Sequence, residues 1–203
     1  MYFIIWFSMI IYRGINKKWY VFCITLLICF LIGFIIIYSY NENLFVKLFG
    51  TNAFLRVERL TNWLSKDGLQ LNKSLIAIGL SGILGNGINN NPIYFPEAHT
   101  DFIFTVISSN IGFLGSIVVI TSIIYFDICL LNIGIISKNK TYKYYIVGVV
   151  SLLLYQQIQS ISMTLGLLPI TGITLPFISY GGSSLLSYFI MIGIIFNIKE
   201  NKK

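Results

Sequence analysis

The chain has 203 residues, of which 56% are hydrophobic and only 10% are charged, whereas an ordinary soluble domain carries about 25% charged residues. This composition excludes an ordinary soluble domain and predicts an integral membrane protein. The formal net charge of +7 does not indicate a nucleic-acid partner, because the lysines and arginines fall in short clusters between apolar runs and form no basic face.

Apolar segments recur along the whole chain and predict an all-α, multi-pass membrane protein that forms a single domain over 1–203. A helix needs about 20 apolar residues to cross the hydrocarbon core, so the first segment is too short to span alone and the second is the clearest span. In chain order the six segments are 1–12, 19–40, 74–84, 101–136, 145–168 and 183–198.

The basic residues predict an orientation, since Lys and Arg accumulate on the cytoplasmic side of a membrane. All but three of the 14 basic residues fall inside if the inner segments are 41–73, 137–144 and 199–203. The three that stay outside are Arg13, Lys17 and Lys18. Loops 85–100 and 169–182 then face outward, and the mixture of apolar and charged residues in 41–73 indicates an amphipathic helix at the inner surface.

Gly and Pro interrupt two of the apolar stretches, at 74–96 and at 165–186. Irregular backbone within a membrane survives only where it is buried in protein or lines a watery cavity. Paired interruptions of this kind indicate a binding site.

The stretch PEAHTDFIF places Glu97, His99 and Asp101 just ahead of a long apolar run. A helix dipole favours an ionised carboxylate while a partly dry cavity raises its pKa, so Asp101 can serve as a general base; an ordinary helix-start aspartate is the alternative. If 97–101 is extended, the three side chains share one face and form a proton relay or hold a divalent cation. The simpler alternative is a surface histidine that is hydrogen-bonded to a neighbouring acid.

Asp127 is an acid within the same apolar run, and such an acid is a candidate functional group. A straight helix that starts at Asp101 reaches Asp127 after roughly 39 Å at 1.5 Å per residue, which exceeds the hydrocarbon thickness of about 30 Å. We therefore expect Asp127 to lie at a solvated cytoplasmic interface.

The stretch SYGGSS precedes the last apolar segment and contains Gly181, Gly182, Ser183 and Ser184. Glycines let backbone N–H groups converge, and a helix N-terminus attracts anions, so this stretch predicts a phosphate cradle. An ordinary serine N-cap after a turn is the alternative.

Three longer stretches occur in the order SLIAIGLSGILGNGI, FPEAHTDFIFTVISSNIGFLG and GLLPITGITLPFISYGGSSLLSYFIMIGI. Together they closely resemble the C-terminal half of the SEDS family, the FtsW, RodA and SpoVE proteins of bacterial cell division, elongation and sporulation. The resemblance implies a ten-helix peptidoglycan glycosyltransferase of the bacterial inner membrane, with its site facing outward. It implies lipid II as substrate, undecaprenyl pyrophosphate as product and a class B penicillin-binding protein as partner. The family's first four helices are missing, and the chain begins within what resembles the fifth.

The resemblance also implies roles for individual residues. Asp101 matches the proposed catalytic base of the family's PE-x-HTDFIF motif, which would take the proton from the attacking sugar hydroxyl. A divalent cation stays open as a cofactor. The substrate-binding positions implied by the resemblance are Glu97, His99, Thr100, Pro176, Ser179, Tyr180, Gly181, Gly182, Ser183 and Ser184.

The sequence departs from the family pattern in its charges. Asn86 stands where the family usually has Lys or Arg, and Ser109 and Asn110 stand in place of two Glu. No Lys or Arg lies between Lys73 and Lys138, although a leaving pyrophosphate needs cations, a metal or oriented N–H groups. We therefore predict that the chain by itself polymerises lipid II poorly or not at all.

Two alternative functions follow from these departures and from the interrupted helices. One is a catalytically silent remnant or membrane scaffold that still binds a penicillin-binding protein. The other is a transporter of a lipid-linked precursor that uses Glu97, His99 and Asp101 as a proton relay.

Overall fold

The fold is helical in the part of the chain that the structure, a computed structural model, describes. The described residues are 2–14, 21, 24–26, 28–29, 32–33, 36, 38, 42–65, 68–88, 93 and 97–200. Their helices are α1 (Tyr2–Arg13), α2 (Glu42–Phe49), α3 (Thr51–Ser65), α4 (Leu69–Leu80), α5 (Ile103–Ile136), α6 (Lys140–Thr164) and α7 (Gly182–Glu200). The predicted span 19–40 lies mostly outside the described residues.

Helices α5 and α6 form the centre of the bundle. They contain 34 and 25 residues and are long and apolar enough to cross a membrane. The buried cluster that α5 and α6 share with α7 consists of Leu130, Ile133, Ile146, Val149, Val150, Leu153, Tyr188 and Ile195. On the outer surface of α5, Phe113 and Ile135 are 62% and 72% exposed, which suits contact with lipid. The predicted all-helical membrane fold is confirmed.

The two ends of the bundle are distinguished by their charged groups. We call the end where α6 begins, at Lys140, the lysine end, and the end where α5 begins, beside Asp101, the carboxylate end. The rings of Tyr12 and Tyr144 are in contact, with centroids 5.4 Å apart. Arg13 at the end of α1 therefore lies at the lysine end.

Helix α3 lies at the opposite, carboxylate end. The indole N–H of Trp63 donates a hydrogen bond of 2.9 Å to the carbonyl of Gly166, just beyond the end of α6. The prediction that 41–73 lies on the side opposite to PEAHTD is therefore wrong, as is the placement of Arg13 on the PEAHTD side. The charge preference is a bias in where Lys and Arg accumulate, and here the contact of Trp63 with the backbone beyond α6 decides the position of the segment instead.

Helix α5 is interrupted at Gly112, where φ is 74° and ψ is −163°. Four backbone hydrogen bonds of 2.9 to 3.3 Å join the turn 81–88 to α5 on either side of this break. The bonded pairs are Phe113 with Gly82, Leu114 with Ile83, Asn86 with Ser109, and Gly87 with Asn110. Because the turn supplies partners that the broken helix lacks, irregular backbone is tolerated here.

Asp127 is buried within the bundle and is only 3% exposed. The amide of Gln157 donates to its Oδ1 atom at 3.3 Å, and its Oδ2 atom has no hydrogen-bond partner. The predicted solvated position is therefore wrong. The prediction assumed one straight helix from Asp101, whereas α5 breaks at Gly112 and continues for about 14 Å beyond Asp127.

Candidate active site

Two loops meet at the carboxylate end, the α5 turn (97–102) and the α6–α7 loop (165–181). The hydroxyl of Ser179 donates to the carbonyl of Thr100 at 2.7 Å and accepts from the N–H of Leu175 at 2.8 Å. The N–H of Tyr180 donates to the carbonyl of His99 at 3.0 Å. These bonds hold the residues next to Asp101 against the second of the two interrupted stretches.

The carboxylate of Asp101 is half-buried beside the α6–α7 loop. A Cβ atom added to Gly172, whose φ is 70°, would lie 3.4 Å from Oδ2 of Asp101. Burial raises the pKa of Asp101 above its ordinary value, and the negative charge of Glu97 raises the pKa further, whereas the positive charge of Arg59 lowers it. A carboxylate with a raised pKa is suited to accept a proton near neutral pH.

The α5 turn is not extended, and this changes how its side chains are arranged. Glu97 has a φ of 58°, and its carbonyl accepts from the N–H of Phe102 at 3.2 Å. Glu97 and His99 are exposed, whereas Asp101 is half-buried. The prediction of a shared face required an extended 97–101 segment, and this condition is not met because these residues form a tight turn.

The side chains of the α5 turn do not form the predicted metal site. The hydroxyl of Thr100 donates to the carboxylate of Glu97 at 2.7 Å, so Glu97 is engaged within the turn. In the described part of the chain, no three His, Cys, Asp or Glu side chains come close enough to hold one metal ion. A divalent cation bound by Glu97, His99 and Asp101 together does not fit this geometry.

The turn ahead of α7 depends on Gly181. The hydroxyl of Ser184 donates to the carbonyl of Gly181 at 2.9 Å, and a Cβ atom on Gly181 would lie only 2.6 Å from that hydroxyl oxygen. Ser184 donates to a carbonyl, so the alternative of an N-cap serine is wrong for this residue. Gly182 and Ser183 are exposed, and the phosphate cradle stays a prediction.

A cavity of about 610 Å³ lies between α5, α7 and the α6–α7 loop. Its wall is almost entirely apolar and consists of Val118, Val119, Ser122, Ile123, Phe126, Gln157, Pro176, Phe177, Ile178, Phe189, Ile192, Gly193 and Phe196. Pro176 therefore lines this cavity. Of the two interrupted stretches, only the second contributes to this cavity.

Two residues near Asp101 were missed by reasoning from the sequence. Gly172 lies within the TGITLPFISYGGSS motif, and its position in that motif could have identified it as a residue of the site. Arg59 lies on α3, which was predicted as an amphipathic helix but was placed on the wrong side. The contact between Trp63 and Gly166 reveals that α3 belongs to the same end as Asp101.

The fold and the site together define a class of protein: a multi-pass helical membrane protein whose half-buried carboxylate is held by two loops at one end of the bundle. A family model for FtsW, RodA and SpoVE, described as "Cell cycle protein", matches residues 1–203. The chain belongs to this family, and the resemblance found in its motifs is confirmed.

Several curated relatives are similar to the chain. The probable peptidoglycan glycosyltransferase FtsW of Coxiella burnetii is 40% identical over 155 residues, which cover 70% of this chain and 42% of that protein. The stage V sporulation protein E of Bacillus subtilis is 32% identical, with coverages of 77% and 47%. The probable peptidoglycan glycosyltransferase FtsW of Wigglesworthia glossinidia brevipalpis is 34% identical, with coverages of 89% and 53%. The chain thus spans about half the length of these relatives.

A solved structure shares the fold. It is described as "Structural coordination of polymerization and crosslinking by a peptidoglycan synthase complex" and matches with a TM-score of 0.70 at 21% identity. The match covers 96% of this chain and 52% of the other. It supports the helical architecture.

Proposed function

We propose that this chain carries the catalytic base of a peptidoglycan glycosyltransferase that polymerises lipid II and releases undecaprenyl pyrophosphate. The observation that carries the proposal is Asp101, a half-buried carboxylate with a raised pKa between two hydrogen-bonded loops. Its relatives that are named peptidoglycan glycosyltransferases support this reaction type. The cellular role would be wall synthesis in division, elongation or sporulation.

The chemistry assigns one task to each part of the site. Asp101 accepts the proton of an acceptor sugar hydroxyl while the oxygen attacks the anomeric carbon of a second lipid-linked sugar. The new glycosidic bond forms as the bond from that carbon to the pyrophosphate breaks, with inversion. Ser179 fixes the carbonyl of Thr100 and so restrains the backbone next to Asp101. Among the exposed groups, Glu97, His99 and Tyr180 are available to bind sugar.

The apolar cavity fits the polyprenyl chain of the same substrate. Its wall includes Pro176 and Phe177, and the loop that contains them continues to Ser179, which binds the α5 turn. An apolar pocket with few polar groups favours a hydrocarbon chain over a sugar. We expect the polyprenyl chain to lie within the bundle and the sugars to lie at the carboxylate end.

The proposed enzyme lies in the bacterial inner membrane with the carboxylate end facing outward. The opposite end is basic because it carries Arg13, Lys138, Lys140 and Lys143. Short basic loops are found mostly on the cytoplasmic side of a membrane. A class B penicillin-binding protein is the proposed partner, and the description of the matched structure as a peptidoglycan synthase complex supports this choice.

Polymerisation of lipid II by the purified chain in proteoliposomes tests the proposal. We expect slow formation of glycan strands by the native chain, as its few cations predict, and about 10²- to 10⁴-fold slower formation with Asp101→Asn, since a general base contributes that much. Glu58→Gln is the matched control, because Glu58 is an exposed carboxylate on α3. Strands formed equally well by Asp101→Asn, or by none of the three proteins, would contradict the proposal for this chain.

A further inference from the structure

The α5 turn and the α6–α7 loop contain no basic residue of their own. No Lys or Arg lies between Lys73 and Lys138, or between Lys143 and Lys199. A pyrophosphate leaving group develops negative charge, and stabilising such charge is commonly the largest single contribution to catalysis. A cation for this site must therefore come from an element that is distant in sequence.

Helix α3 brings such a cation to the carboxylate end. The indole of Trp63 is bonded to Gly166 at 2.9 Å, which fixes one face of α3 against the α6–α7 loop. Arg59 lies four residues before Trp63 and therefore on the same face of the helix. The same loop continues from Gly166 to Gly172, where an added Cβ atom would lie 3.4 Å from Oδ2 of Asp101.

Arg59 is close to Asp101 and accessible from outside. Its side chain is exposed. Its positive charge is near enough to lower the pKa of Asp101, whereas burial and the charge of Glu97 raise that pKa. Arginine presents a planar fork of N–H donors that matches phosphate oxygens. A base and a cation on neighbouring elements are what a sugar transfer from a pyrophosphate requires.

We propose that Arg59 binds the pyrophosphate group of the lipid-linked donor sugar beside Asp101, an inference that rests on the proposed glycosyl transfer. During the reaction the acceptor oxygen bonds to the anomeric carbon and its proton passes to Asp101. The electron pair of the broken carbon–oxygen bond goes to the pyrophosphate, whose added charge Arg59 stabilises. The cation absent from the neighbouring loops is thus supplied by α3.

Binding of farnesyl pyrophosphate to the chain in lipid nanodiscs, followed by ³¹P NMR, tests this inference without turnover. We expect Arg59→Gln to weaken binding about tenfold or more, since a hydrogen bond to a charged group is worth about 1.5–3 kcal/mol. Arg59→Lys keeps the charge and should recover part of the affinity. Lys47→Gln, which removes an exposed cation from α2, should bind as the native chain does.

The outcomes separate this inference from the proposed polymerisation. Binding that depends on Arg59 in a chain that forms no glycan supports the pyrophosphate site and contradicts the polymerase. Glycan synthesis with unchanged kcat/KM and unchanged binding in Arg59→Gln supports the polymerase and overturns the role of Arg59. Absence of binding by the native chain, or equal weakening by Lys47→Gln, also overturns it.

Discussion

At the scale of single residues, the ionised carboxylate of Asp101 destabilises the folded protein. Its folded-state pKa is raised by burial and by Glu97, so the neutral form is favoured in the folded protein. The neutral carboxyl stabilises the folded protein fully at pH values below the pKa that Asp101 has in the unfolded chain. This stabilisation is lost as the pH rises through the pKa that Asp101 has in the folded protein. Active-site groups commonly trade stability for function in this way.

We therefore predict that Asp101→Asn raises the melting temperature of the chain at neutral pH. The difference from the native chain should shrink as the pH falls through the raised pKa of Asp101 towards its ordinary value, because both side chains are then neutral. Thermal unfolding in detergent, followed by circular dichroism across this pH range, measures the effect. A melting temperature for Asp101→Asn equal to or below the native one at neutral pH would contradict the prediction.

The hydroxyl of Ser179 joins the two loops of the site. Ser179→Ala removes one bond to the carbonyl of Thr100 and one from the N–H of Leu175, so we expect a loss of about 1–3 kcal/mol of unfolding free energy. Polymerisation should slow as well, since Thr100 precedes Asp101. Unfolding in a denaturing detergent measures the stability.

Ser187→Ala is the control for this change. The hydroxyl of Ser187 is exposed and bonds to Ser183 within its own helix, so its loss should stay within about 0.5 kcal/mol. Equal effects of the two substitutions would show that Ser179 does not hold the loops together.

At the scale of elements, the contact between α5 and the turn 81–88 needs glycine on both sides. A Cβ atom on Gly112 would collide with the backbone of Gly85 and Ile83, and a Cβ atom on Gly85 would collide with the backbone of Asn110. Backbone atoms cannot move aside as a flexible side chain can. The positive φ of both glycines adds a further conformational cost for any other residue.

Gly112→Ala should therefore destabilise the chain by about 3 kcal/mol or more, from strain and overpacking together. Gly193→Ala on α7 is the matched control, because no atom lies within 4 Å of the added methyl group, and it should change stability by no more than about 1 kcal/mol. Unfolding free energies of the two variants measure the difference. If Gly112→Ala is as stable as Gly193→Ala, the close approach of α5 to the turn is not required.

At the scale of the whole molecule, the structure assigns α3 and the α6–α7 loop to one side of the membrane. Leu64 and Tyr180 are 71% and 80% exposed, and Lys138 is exposed at the lysine end. In a variant without the three native cysteines, an impermeant thiol reagent should label Leu64→Cys and Tyr180→Cys from one side. Lys138→Cys should react only from the other side.

The labelling experiment has a clear opposite outcome. If Leu64→Cys reacts from the same side as Lys138→Cys, the placement of α3 beside Asp101 is wrong, and the charge-based orientation of 41–73 is restored. Arg59 would then lie across the membrane from Asp101, and the pyrophosphate site would fail with it.

Properties that depend on local composition and residue order could be predicted from the sequence. Apolar runs predicted the helices of a membrane protein, and the motifs around Asp101 and TGITLPFISYGGSS identified the family. Both inferences succeed because hydrocarbon excludes unpaired backbone and charge from any spanning segment, and because motifs are contiguous. They needed no knowledge of which segments touch.

The tertiary structure alone decided which distant residues meet. Trp63 and Gly166 lie 103 residues apart in the chain and Ser179 and Thr100 lie 79 apart, so no local pattern could pair them. Likewise, the break in α5 at Gly112 is held by the turn 81–88, which belongs to another segment of the chain. The burial of Asp127 therefore could not be predicted from one straight helix. Such contacts follow from packing and hydrogen bonding between elements, which act over distances that helix periodicity and loop charge do not encode.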